Sequence, residues 1–134
     1  MKSHARNIMN ENVTAVAPDT PLATVVAMLV AAGIGGVPVV DLRQRVVGFV
    51  SEIDLMDALL RNTPPETLAQ EIMSKAPIVI DEFTPSEEVM ELLGKHQLHH
   101  LPVVREGRLV GIISPIDVLR SFVERVLTPP PEVG

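Results

Sequence analysis

Displaced by 64 positions, the first half of this 134-residue chain falls on the second. Ile8-Met9 lands on Ile72-Met73, Thr20-Pro21 on Thr84-Pro85, Val25 on Val89, Leu29 on Leu93, and Pro38-Val39-Val40 on Pro102-Val103-Val104. A displacement of 63 then superposes Gly48, Ser51, Ile53 and Asp54 on Gly111, Ser114, Ile116 and Asp117. A single dropped residue separates the two registers, so the chain is one structural unit written twice. Two copies are too few to stack as a solenoid. The expectation is that they pack on each other about a pseudo-twofold axis.

The order of elements is the same in both copies. A short extended piece comes first, Val13 to Val16 or Ile78 to Ile80. Thr20 and Thr84 then stand as N-caps with proline at the first helical position, and Thr84-x-x-Glu87 has the spacing of a capping box. In the first helix Leu22, Val25, Val26, Leu29 and Val30 fall on one apolar stripe, echoed by Val89, Met90 and Leu93, and Gly33 closes it. Short β-branched runs follow, "GVPVV" and "VVGFV", then "LPVV" and "LVGII". Glu106-Gly107 between the second pair is a two-residue hairpin signal. Another helix ends each copy, Glu52 to Arg61 or Pro115 to about Leu127.

Each copy therefore reads β-α-β-β-α, an α/β (α+β) fold. "RNTPPET" (Arg61 to Thr67) marks the link between them. The expected division is 1–62 for the first repeat with its N-terminal segment, 63–71 for the linker and 72–127 for the second repeat. "TPPPEVG" over 128–134 is expected to be a disordered tail.

Composition narrows the function classes. The chain has no cysteine, which removes disulfides, zinc–thiolate sites and thiol catalysis. A net charge of −6 argues against nucleic acid as the main partner, because sequence-independent binding needs a positive face. No apolar run reaches the roughly 18 to 20 residues of a membrane span, and "MKSHARNIMNEN" lacks the apolar core of a secretory signal. A soluble, cytoplasmic protein is expected. With neither Trp nor Tyr, the core is expected to be aliphatic. Met28, Met56, Met73 and Met90 lie on apolar stripes and read as part of it. The acids of "PSEEVMELL" read as a solvated helix face.

The most informative repeat is the corner "GFVSEID", Gly48 to Asp54, with its copy "GIISPID", Gly111 to Asp117. Ser51 and Ser114 sit where a strand becomes a helix and suit N-capping, with Asp54 and Asp117 returning the hydrogen bond three residues on. The glycines suit close approach of another backbone. Capping alone tolerates several residue types at both positions, yet Ser and Asp recur in both copies while their neighbours differ. The same geometry serves a ligand: free N–H groups at a helix start take phosphate oxygens, and a carboxylate one turn in accepts the hydroxyls of a diol. A sugar beside a phosphate, with an apolar slot for a base, fits the constellation.

The tandem unit resembles a pair of CBS domains, a Bateman module. The resemblance runs from about Ile8 to Val126 and rests on the "IM" lead-ins, "TP" before the first helix, "PVV" in the middle strand and the two Gly-to-Asp corners. It implies adenosyl ligands such as AMP, ADP, ATP or S-adenosylmethionine in clefts between the repeats. Asp54 and Asp117 would hold ribose, with Ser51 and Ser114 beside it and both clefts intact. Gly48, Gly111, Gly36, Pro38, Pro102 and Thr14 are carried over as further lining residues. The resemblance also implies a homodimeric disc built through helices, and regulation of a protein partner rather than catalysis.

Before the middle strand the copies diverge: Ile34-Gly35-Gly36-Val37 against Leu98-His99-His100-Leu101. The resemblance implies that a basic residue here reaches a phosphate, which makes His99 and His100 candidates; ordinary loop histidines are the alternative. Gly35-Gly36 suits a tight helix-to-strand turn or close approach of a ligand. No third ligand accompanies the histidine pair at a metal-binding spacing. No nucleophile stands beside a base, so no catalytic residue is assigned. The leading reading is a regulatory module that senses an adenine nucleotide or another adenosyl compound. The alternative is a dimerisation or interaction module with vestigial clefts.

Overall fold

The computed structural model describes residues 3–127; the tail expected over 128–134 lies outside the described residues. In chain order the first copy contributes α1 (Ala5–Ile8), α2 (Leu22–Ala32), β1 (Gly36–Val40), β2 (Val46–Ser51) and α3 (Glu52–Leu60). The second contributes α4 (Ala69–Ile72), β3 (Ser74–Lys75), β4 (Ile80–Asp81), α5 (Ser86–Lys95), β5 (Leu101–Arg105), β6 (Arg108–Ile113) and α6 (Pro115–Phe122), which runs on into a π-helical turn over Val123–Leu127. Two mixed α/β halves result, with sheets ordered β1-β2-β3 and β4-β5-β6.

Both hairpins form from the β-branched runs. Gly36 lies opposite Ser51 across β1 and β2, and Leu101 opposite Ile113 across β5 and β6. Glu106 and Gly107 both take positive φ, 51° and 80°, as a type I′ turn requires. The other connection, 41–45, is held by the Asp41 carboxylate, which accepts from the N–H groups of Arg43 and Arg45 at 2.8 and 3.0 Å. The residue by which the two registers differ is absorbed in this longer turn. The extended lead-in pieces run parallel to the middle strands, as β4 does beside β5 and as Val16 does in a single bridge to Val39.

The copies exchange their lead-in segments. Ala5, Ile8 and Met9 are buried in the second core with Ile80, Val89, Leu101 and Ile113. Ala69 is buried in the first core, with Ile72 and Met73 packed against it. The backbone repeats the exchange: the Ala5 N–H donates to the Thr84 carbonyl and the Ala69 N–H to the Thr20 carbonyl, each at 2.8 Å. Likewise Leu22 N–H donates to the Thr67 carbonyl at 2.7 Å and Ser86 N–H to that of Ser3 at 3.0 Å. Each pair maps onto the other under the displacement of 64, so the pseudo-twofold relation is written into the hydrogen bonds.

That exchange corrects the helix starts. Helices α2 and α5 begin one residue after the prolines, with Pro21 and Pro85 in the cap position and no side-chain cap. Thr20 turns its hydroxyl back to accept from the Ala17 N–H at 3.1 Å, and the Thr84–Glu87 box is not formed. The acceptors come instead from the carbonyls of Pro65 and Thr67 for α2 and of Ser3 for α5.

Three core assignments also fail. Leu22, Val25 and Leu29 are buried, but Val30 is 77% exposed. Met56 and Met90 are 63% and 46% exposed. Val30 and Met90 lie beside the narrow line of side chains that α2 and α5 each bury, and Met56 lies on the exposed face of α3 with Ile53 and Leu59. Met28 and Met73 do pack on the first core.

Candidate functional site

Each Gly-to-Asp corner folds as strand, cap and helix. At the first, the Ser51 N–H donates to Asp54 Oδ2 at 2.9 Å and the Asp54 N–H donates to Ser51 Oγ at 3.1 Å. At the second, Asp117 Oδ2 accepts from the Ser114 N–H at 2.8 Å and from its hydroxyl at 2.9 Å. Arg120 Nη1 donates to Asp117 Oδ1 at 2.8 Å. Capping is therefore part of what Ser and Asp do in both copies.

The two corners differ in what they face. The second opens on a cleft of about 380 Å³ between the halves. One wall is the lead-in segment, through Asn10, Asn12, Val13 and Thr14; another is the turn from Gly33 to Gly36. The third comes from the second half: His100, Ile112, Ser114, Ile116, Asp117 and Arg120. Asp117 is buried, at 7% exposure, with its carboxylate on the cleft wall. Of the residues named from sequence, the cleft gathers Thr14, Gly36, His100, Ser114 and Asp117.

The others lie elsewhere. Ser51 and Asp54 belong to the first corner and do not line this cleft. Pro38 and Pro102 are fully buried in mid-strand, so they form the floor of the sheets and present nothing to a ligand. Gly48 and Gly111 lie under methionines, since a Cβ at Gly48 would stand 2.1 Å from Met73 Sδ, and one at Gly111 2.4 Å from Met9 Sδ. His99 is exposed while His100 turns inward, as neighbours on an extended segment do.

His100 stacks on Phe49, with ring centroids 5.1 Å apart and planes inclined by 27°. Burial, then the neighbouring His99, hold its pKa below the ordinary imidazole value, against opposing pulls from Glu52, the Gly35 carbonyl and Asp117. Its ring is therefore mainly neutral at neutral pH, which weakens it as a phosphate-binding cation. The permanent cation in the cleft is Arg120, missed from sequence. Its signal was there: the matching place in the first copy holds Asp57. Asn10 and Asn12 were missed because their approach to the second copy depends on the exchange of lead-ins.

Among the described residues no group of three or more His, Asp or Glu is placed to hold a metal ion. No helix among them is long and apolar enough to cross a membrane.

The CBS domain family model matches this chain twice, over residues 5–61 and 69–124. Hypoxic response protein 1 of Mycobacterium tuberculosis is 28% identical over 125 residues, covering 92% of this chain and 87% of the relative. MJ1225 of Methanocaldococcus jannaschii is 27% identical over 115 residues; the match takes in 86% of this chain but only 41% of that protein. Among solved structures, that of CBSX2 in complex with AMP superposes with a TM-score of 0.81 at 27% identity, covering 91% of this chain and 97% of the other. The duplicated corners, the exchanged lead-ins and the two family matches agree, and this chain belongs to the CBS domain family, carrying the domain as a tandem pair.

Proposed function

We propose that the chain is a regulatory binding module that takes an adenosyl compound of the AMP class in the cleft at Ser114 and Asp117. The observation that carries the reading is a buried carboxylate facing an inter-repeat cleft whose volume, about 380 Å³, falls in the range of small-molecule sites. The unused lone pairs of Asp117 accept from the neighbouring hydroxyls of ribose, with Ser114 beside them. Val13, Ile34, Ile112 and Ile116 supply an apolar slot for the purine. CBSX2, similar in fold and sequence, holds AMP in its own structure, which supports this class of ligand. Because both halves wall the cleft, a ligand that binds one relative placement better shifts the population toward it. A partner protein reads the change, and the chain itself catalyses nothing.

The output surface lies on α3 and α6. Ile53, Met56 and Leu59 of α3 are exposed, as are their counterparts Ile116, Leu119 and Phe122 of α6. Two matching apolar faces of this kind suit a homodimer. This face also favours a second reading, a dimerisation module whose clefts are vestigial.

Thermal unfolding separates the two readings. A ligand at 100 times its Kd stabilises the fold by about 2.7 kcal/mol, so AMP raises Tm under the first reading and leaves it unchanged under the second. Asp117→Ala abolishes the AMP-dependent shift while costing about 0.5–2 kcal/mol of fold stability through the lost cap. An Asp117→Ala protein that binds AMP as wild type does rules out the ribose assignment.

A further inference from the structure

Position by position, the two corners are not equivalent. The place that Ile112 takes in the cleft is held at the first corner by Phe49, against which Gly36 lies and on which His100 stacks, and Phe49 is only 9% exposed. The cleft keeps about 380 Å³ beside Ile112; an imidazole on a phenyl ring fills the matching place. The lead-in beside the cleft offers Asn10, Asn12 and Thr14, whereas the matching residues beside the first corner are Ser74, Ala76 and Ile78. The supply of hydrogen-bonding groups is thus concentrated on one side.

Charge divides the corners in the same sense. The first carries Glu52, Asp54 and Asp57, and the matching residues of the second are Pro115, Asp117 and Arg120. Asp57 is paired with Arg61 at 3.2 Å on the exposed face of α3. Arg120 has one N–H on Asp117 and keeps its remaining donors for an anion. A phosphate beside Glu52 and Asp54, with Asp57 already paired to Arg61, is repelled; beside one carboxylate and a guanidinium it is held.

We infer that this chain binds one phosphorylated adenosyl ligand and not two: the Ser114–Asp117 cleft takes it with Arg120 on the phosphate, and the His100–Phe49 stack closes the Ser51–Asp54 side. The inference rests on the adenosyl reading above and adds stoichiometry and selectivity to it. It also gives the recurrence of Ser51 and Asp54 a reason apart from a ligand, since their box caps α3. A sulfonium compound such as S-adenosylmethionine, cationic where AMP is anionic, is disfavoured beside Arg120.

Titration calorimetry on the full chain with AMP, adenosine and S-adenosylmethionine is the test. The expected result is one AMP per chain, with AMP bound at least about tenfold more tightly than adenosine, the size of one charge-assisted hydrogen bond. Arg120→Gln brings the AMP-to-adenosine ratio to about one. The double variant His100→Gly, Phe49→Ile gains a second adenosyl site, circular dichroism first establishing that it is folded. Two sites per chain in wild type, adenosine or S-adenosylmethionine matching AMP, or an unchanged ratio in Arg120→Gln overturns the inference and leaves the adenosyl reading standing. A folded double variant that stays at one site overturns the closure by His100. Absence of binding by all three compounds sinks the adenosyl reading and the inference with it.

Discussion

Gly48 and Gly111 are spaces for sulfur. A Cβ at Gly48 would meet Met73 not only at Sδ but also at Cγ, 2.7 Å away, and Cβ, 3.1 Å away. The root of the side chain is in the way, so swinging its tip does not relieve the clash. Gly48→Ala is expected to cost about 1–3 kcal/mol, as overpacking of a filled core does. Met73→Ala opens room for the new methyl, so the double variant is expected to be less destabilised than the sum of the singles. Additive losses in chemical denaturation would mean that the two side chains do not meet. His100 carries a second expectation at this scale. Its pKa is held below its unfolded value, so the folded chain binds fewer protons than the unfolded one. The stability its neutral ring contributes is fully present above the ordinary imidazole value of about 6.5 and is lost as pH falls through that value and below the folded pKa. His100→Phe, which keeps a ring on Phe49, is expected to flatten the decline in urea midpoint between about pH 7.5 and pH 5.5. A decline as steep as wild type's would assign the effect to other groups.

Among the elements, those with local causes were legible and those with distant causes were not. The hairpins, the corners at Ser51 and Ser114, the glycine end of α2 and the start of α6 at Pro115 follow from residues within a few positions of each other. Gly33 takes φ 65° at the end of α2, and Gln97 takes φ 48° in the matching place of the second copy, a turn that its side chain did not announce. The caps of α2 and α5 come from carbonyls of the opposite lead-in, which no local pattern contains. For the same reason the one-turn helices α1 and α4 went unread. Of the apolar faces of α3 and α6 the sequence singles out only Met56, and as core; both faces are exposed. If these faces pair two chains, wild type sediments at twice the chain mass. A charge at Met56 or Leu119 (Met56→Glu, Leu119→Glu) then gives a folded monomer, since an unpaired carboxylate in a buried interface costs several kcal/mol. A wild-type protein that sediments as a monomer would leave these faces without an occupant.

For the molecule as a whole, the sequence carried the duplication, the fold class and five of the residues that meet in the cleft. What it did not carry was which half each lead-in belongs to. Chain order assigns residues 1–62 to the first repeat, yet Ala5, Ile8 and Met9 sit in the second core, and the Asn10 N–H donates to the Ile112 carbonyl at 2.9 Å. The cleft is itself a product of the exchange, because Asn10, Asn12 and Thr14 reach Asp117 only by that route. Truncation separates the two accounts. Full burial of Ile8 and Met9 is worth about 1.5–3 kcal/mol each, against a total stability of about 5–15 kcal/mol for a domain. Removing residues 1–12 therefore takes away a large share of what holds the second half and little of what holds the first. Amide hydrogen exchange on the truncated chain is expected to show protection lost in β4, α5, β5 and β6 and retained in α2, β1 and β2, together with loss of AMP binding. Protection lost mainly in the first half would mean that each lead-in packs on its own repeat, and the exchange on which the cleft depends would not exist in solution.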